Sequence, residues 1–151
     1  LRYFPTRKEI SMIEGLYALL EAVGFTHPLH PIMVHIPMGM VIGAVIFSLI
    51  DLKWKYQGLD QTAYHCSVLA LIFIVPTLIT GVLDWQGKLG GDWEALIIIK
   101  IVLGILLTIL LAVSVMFKRQ GADSKKLLII YLLCMACAGG LGFSGGELVY
   151  G

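Results

Sequence analysis

Four apolar runs, each close to the roughly 20 residues a helix needs to cross a bilayer, divide this 151-residue chain. They cover about 32–50, 63–82, 95–117 and 127–143, the last extendable to 149. Lipid offers no partner to a backbone N–H or C=O, so runs of this length must be helices that satisfy their own backbone. The stretches between them are short, which makes consecutive helices antiparallel neighbours. The expectation is an all-α, integral membrane, up-down four-helix bundle over residues 27–151. Composition agrees: 58% of residues are apolar and 14% charged, where a soluble domain carries about a quarter charged.

Residues 1–26 form a separate N-terminal segment. Ser11 with Glu14 three residues later fits a capping box, and Ile13, Leu16, Leu20 and Val23 recur at helical spacing. Gly24 supplies a stop. This predicts a short amphipathic helix lying in the membrane interface, with docking onto a partner subunit as the alternative.

Charge sets the expected orientation. The first and third loops carry Lys53, Lys55, Lys118, Arg119, Lys125 and Lys126, whereas the middle loop carries Lys88 against Asp84, Asp92 and Glu94. The positive-inside rule then places the first and third loops in the cytoplasm and both termini outside. In a bacterium this means a multi-pass protein of the inner membrane with periplasmic termini. Trp54, Tyr56, Trp85 and Trp93 flank the spans as aromatic belts do. A net charge of +1 without a basic stripe excludes a nucleic-acid partner and leaves the bilayer as the first one.

Small residues mark expected helix contacts: Gly39 and Gly43 as a G-x-x-x-G pair, and Ala136, Ala138, Gly139, Gly140 and Gly142 in the fourth span. Pro37 and Pro76 fall within spans and are expected to kink them. Cys66, Cys134 and Cys137 all lie in apolar runs. They read as small buried side chains, with a redox or metal role as the alternative, since Cys134 and Cys137 lack a second ligand pair.

The chemistry concentrates in His27-Pro28-Leu29-His30-Pro31-Ile32-Met33-Val34-His35. Imidazole can bind a metal or haem, carry a proton, or hydrogen-bond a carboxylate. An ionisable group at a membrane boundary is costly and therefore a candidate for function. Counting depth at about 1.5 Å per residue, the outer end of the bundle collects His27, His30, His35, Asp84, Glu94, Lys100 and Glu147. They are expected to gather into a single site, with Trp85 beside it. His65 enters from the opposite end, on the order of 20 Å away along the helix, and reads as an interfacial residue. Each member also has a plainer reading: helix-start histidines, a hydrogen-bonded His35, and a Lys100 that snorkels to the headgroups.

Three motifs in order, His27-Pro-Leu-His30-Pro-Ile-Met-Val-His35-Ile-Pro37, Thr80-Gly81-Val-Leu-Asp84-Trp85 and Gly145-Gly146-Glu147-Leu-Val-Tyr150-Gly151, carry a resemblance. From about Phe25 onward the chain resembles the small four-helix bacterial membrane proteins of the domain of unknown function 2231 family. The resemblance implies four spans, implies no particular activity, and carries over His27, His30, His35, Asp84, Trp85 and Glu147 as motif residues. Some relatives are joined to, or encoded beside, Rieske iron-sulfur domains or multihaem cytochromes, which implies redox partners. Relatives also commonly carry a histidine near the start of the third span. Here that stretch reads Trp93-Glu94-Ala95-Leu96-Ile97-Ile98-Ile99-Lys100, without one.

Three functions follow as expectations. The first is a membrane electron-transfer subunit that binds haem b or contacts a quinone near the outer leaflet and serves cytochrome or iron-sulfur partners. His35 with His27 or His30 would ligate the haem, and Lys100 would meet a propionate or quinone oxygen. A separation of five residues puts His30 and His35 on different faces of one helix, so a loop would have to fold back. The second is a divalent-metal site built from His27, His30 and His35 with Asp84. The third is a cofactor-free anchor or assembly subunit. Covalent c-type haem is excluded because no Cys-x-x-Cys-His occurs. No nucleophile–base pair or nucleotide loop marks a self-contained enzyme.

Overall fold

The computed structural model describes residues 7–24, 26, 27, 29–54, 58–87 and 93–150. Lys55, Tyr56, Lys88 and Asp92, which enter the orientation and belt expectations, lie outside the described residues, as do Pro28 and Gly151 of the motifs. Five helices follow in order: α1 (Arg7–Ala22), α2 (His30–Trp54), α3 (Leu59–Gly87), α4 (Ala95–Arg119) and α5 (Ser124–Tyr150). The last four are long and apolar enough to cross a membrane. Around the bundle the order is α2, α3, α4, α5, with α5 closing back onto α2, and α1 lies against α3.

The helices outrun the apolar runs. The 29 residues of α3 rise about 43 Å against a hydrocarbon core of about 30 Å, so its ends lie at or beyond the boundary. Asp84, expected just past the second span, therefore sits in the last turns of a continuous helix. Helix α1 also begins earlier than expected. Arg7, Lys8 and Glu9 extend it by a turn, which leaves Ser11 inside the helix rather than at its cap. Gly24 ends it as expected, at φ 85° with its N–H donating to the Glu21 carbonyl.

Several small residues lie in the interior while many large aliphatic ones face outward. Ala44, Ala63, Ala70, Ser67 and Ser114 are buried, while Ile42, Ile46, Ile72, Ile105 and Ile109 are exposed. This is the arrangement expected where lipid is as apolar as the core and close backbone approach supplies the contact energy. One core cluster centres on Val41, Ile74, Leu107, Leu111 and Cys134, and a second on Val45, Leu127 and Tyr131. The cysteines are free, with Cys134 and Cys137 buried and Cys66 half-buried.

The G-x-x-x-G expectation holds for one member only. A side chain at Gly43 would come within 3.3 Å of Cys66 Sγ, whereas Gly39 faces open space. Close approach also occurs at Gly140, against Leu103 at 3.0 Å. Pro37 and Pro76 are accommodated within helices that run on past them. Beside Pro76, the Thr77 hydroxyl donates to the Phe73 carbonyl at 2.7 Å and the Thr80 hydroxyl to the Pro76 carbonyl at 3.0 Å. These bonds satisfy the two threonine hydroxyls within their own helix.

The bundle end opposite His30 is tied by polar contacts. Lys118 forms an ion pair with Asp60, Arg119 Nε donates to the Tyr64 hydroxyl at 3.1 Å, and the Ser124 hydroxyl donates to Asp51 at 3.4 Å. Lys53 lies over the Trp54 ring, 4.3 Å from its centre.

Candidate functional site

Asp84 is the hub of the His30 end. Its side chain projects from α3 into the start of α2 and is buried, the residue being 6% exposed. One carboxylate oxygen accepts the Leu29 N–H at 3.1 Å and the other the His30 N–H at 2.7 Å. These donors belong to the start of α2, where a helix has N–H groups without intrahelical partners. Asp84 thus caps α2 from another helix, and its negative charge lies at the positive end of the α2 dipole.

The third contact comes from α1. The Tyr17 hydroxyl donates to the same oxygen that receives the Leu29 N–H, and Tyr17 is 7% exposed. This residue escaped the sequence reading, which followed the aliphatic positions of α1. The signal was present: Tyr17 lies four residues after Ile13 and three before Leu20, on one stripe, and is the only described residue of that stripe with a hydroxyl. Burial, the bond to Asp84 and the carboxylate's charge, in that order, raise the Tyr17 pKa above its ordinary value of 10. An unfolded chain ionises this phenol near pH 10 while the folded one holds its proton. The stability Tyr17 supplies is therefore complete below that pH and declines above it. A phenolate absorbance titration should show a late-ionising component that Tyr17→Phe reduces by one tyrosine.

His30 is fixed by the same face of α3. Its Nδ1–H donates to the Thr77 carbonyl at 2.9 Å, which assigns the neutral ring's lone pair to Nε2. The ring lies close over Gly81, where an added Cβ would stand 3.1 Å from Nδ1 and 3.2 Å from Cε1. Thr77, Gly81 and Asp84, at i, i+4 and i+7 of α3, therefore form one platform for the start of α2. Lys100, from the second turn of α4, has its ammonium against α5 near Gly145 and within electrostatic range of both His30 and Asp84. Among the described residues it makes no hydrogen bond or ion pair.

The seven expected residues thus separate. His30, Asp84 and Lys100 come together. His35 is exposed, its Nδ1–H bonded to the Pro31 carbonyl of its own helix. Five residues on from His30 it lies about 140° around the helix, and no loop folds back to bring the two together. His27, Glu94 and Glu147 are also exposed. Trp85 is half-buried and meets Trp93 edge to face, with ring centres 4.7 Å apart. His65, at the far end, contacts Gln61 and Tyr64. Among the described residues no three His, Cys, Asp or Glu side chains are grouped to hold a metal.

A family profile described as a predicted membrane protein family, DUF2231, matches residues 26–151. The chain belongs to that family. Within the DUF2231 region the buried cluster draws His30 from the first motif and Gly81 and Asp84 from the second, while Tyr17 precedes the matched segment. No curated protein and no solved structure matches the chain significantly.

Proposed function

We propose that this DUF2231 protein is a membrane subunit of a redox assembly, and that its His30 end contacts a quinone headgroup. The observation that carries this reading is that His30 and Lys100 reach the same end of the bundle, within electrostatic range of each other. A neutral imidazole whose Nδ1–H is already committed presents an acceptor at Nε2, and the Lys100 ammonium, which makes no hydrogen bond or ion pair among the described residues, presents donors. An acceptor and a donor together suit the two ends of the quinol–quinone couple, whose oxygens donate when reduced and accept when oxidised. An ammonium one to two turns inside a span is also costly unless something answers it, and Asp84 answers it only at a distance. Electrons would come from or pass to a partner of the cytochrome or iron-sulfur kind.

Haem b and a divalent metal are the other occupants this end could serve. His30 would give one ligand to either. A second would have to come from His27 or from a partner subunit, because His35 faces away. With the lysine-rich loops in the cytoplasm, the His30 end faces the periplasm of a bacterial inner membrane.

A cofactor-free anchor is the second reading. It is favoured by Asp84, whose three hydrogen bonds are structural and leave it little capacity for a ligand. Protein purified in mild detergent should release quinone on solvent extraction, and His30→Ala and Lys100→Leu should each lower the amount at least about tenfold, the equivalent of about 1.4 kcal/mol of binding. An oxidised-minus-reduced spectrum with a Soret band would replace quinone by haem, and stoichiometric metal would replace it by a metal site. Absence of all three establishes the anchor.

A further inference from the structure

The opposite end of the bundle carries a second arrangement of polar side chains, across the seam of α3 and α4. Arg119 closes α4, and its Nε donates to the Tyr64 hydroxyl of α3 at 3.1 Å. That bond uses one of five guanidinium N–H groups and holds the plane in a defined direction, and among the described residues the outer fork makes no hydrogen bond. The adjacent cation, Lys118, is already paired with Asp60, so that pair is neutral and the charge of Arg119 is left over. His65 stands next to Tyr64, ring centres 5.6 Å apart, and adds a further polar group on the exposed side. Lys125 and Lys126 lie exposed beyond the next loop, where Asp123 offsets one of them.

Toward the bundle centre the same surface becomes apolar. Ile72 and Val75 of α3 and Met116 of α4 are exposed, about one to three turns deeper than the polar groups. A fixed guanidinium fork at the membrane boundary, with greasy side chains directly beneath, matches a molecule with a phosphate at one end and hydrocarbon at the other. Planar forks recognise phosphate oxygens two at a time, and a net positive boundary favours anionic headgroups over zwitterionic ones.

We propose that Arg119, oriented by Tyr64, binds the phosphodiester of an anionic phospholipid whose chains lie along the α3–α4 seam. This site is independent of the His30 end and of any quinone there. The test is native mass spectrometry of the full chain released from nanodiscs containing equal phosphatidylglycerol and phosphatidylcholine. The wild type is expected to retain phosphatidylglycerol with about fivefold preference. Arg119→Gln should abolish that preference, and Tyr64→Phe, which keeps the charge and loses the orienting hydroxyl, should weaken it. Lys125→Gln with Lys126→Gln should leave most of it. Arg119 is exposed, so its replacement should leave the melting temperature in neutral detergent unchanged. Unaltered preference in Arg119→Gln overturns the proposal. So does an equal loss in the double lysine variant, which would mean diffuse attraction to a basic surface. Stabilisation by inorganic phosphate alone, equal to that by phosphatidylglycerol, would likewise overturn it in favour of a soluble anion.

Discussion

Asp84→Ala is expected to destabilise the protein by about 3–5 kcal/mol and to free α1 from the bundle. The substitution strands two backbone donors at the start of α2 and the Tyr17 hydroxyl, all in surroundings poor in water. Each buried donor left without an acceptor costs about 1–3 kcal/mol, and removal of one partner from a buried charged contact costs more than the contact contributes. Asp84→Asn keeps one carbonyl oxygen and should cost less, about 1–2 kcal/mol. Thermal unfolding in a single detergent would measure the loss, and hydrogen exchange would locate it at the Leu29 and His30 amides. A coupling energy near zero between Asp84→Ala and Tyr17→Phe would show that the α1 contact is incidental. A loss under about 1 kcal/mol in Asp84→Ala would remove the carboxylate from its place as the hub.

Gly81→Leu should be the next most damaging change, at about 2–3 kcal/mol. The His30 ring already occupies the space a side chain would need, with Nδ1 3.1 Å from the position of a Cβ. An alanine there could be met by a ring shift of a few tenths of an ångström, at about 1 kcal/mol. A leucine would drive the ring off the Thr77 carbonyl. The change should therefore also alter the imidazole: loss of the Nδ1–H···O bond exposes that proton to exchange, which nitrogen-15 NMR of His30 would register. If Gly81→Leu left both stability and the His30 signal unchanged, the close approach of α2 to α3 at this point would be refuted.

The architecture was legible because four long apolar runs admit one solution in lipid. The inward face of each run was not. Helix α2 buries Val41, Ala44 and Val45 and exposes Ile42 and Ile46, side chains of nearly equal hydropathy, so periodicity carries little signal where both surroundings are apolar. Depth counting did bring His30, Asp84 and Lys100 to one end, because rise per residue is fixed. It could not say which way a side chain turns around its helix. The spacing of His30 and His35 held that information, since five residues cannot share a face. Tyr17 was hidden by its neighbours: α1 turns Tyr17 toward the bundle and leaves Met12, Leu16, Leu19 and Val23 exposed, so Leu16 and Val23, two of the four positions expected to form its apolar stripe, lie on the other side.

The contacts of Asp84 reach back 54 residues to His30 and 67 to Tyr17. A ribosome delivers the first spanning helix and the segment before it long before it delivers their common acceptor. During synthesis α1 and the start of α2 must therefore wait at the bilayer with their donors turned to water or headgroups. They can lock only after α3 has left the translocon, so segments made before α3 take their final place only once it has arrived.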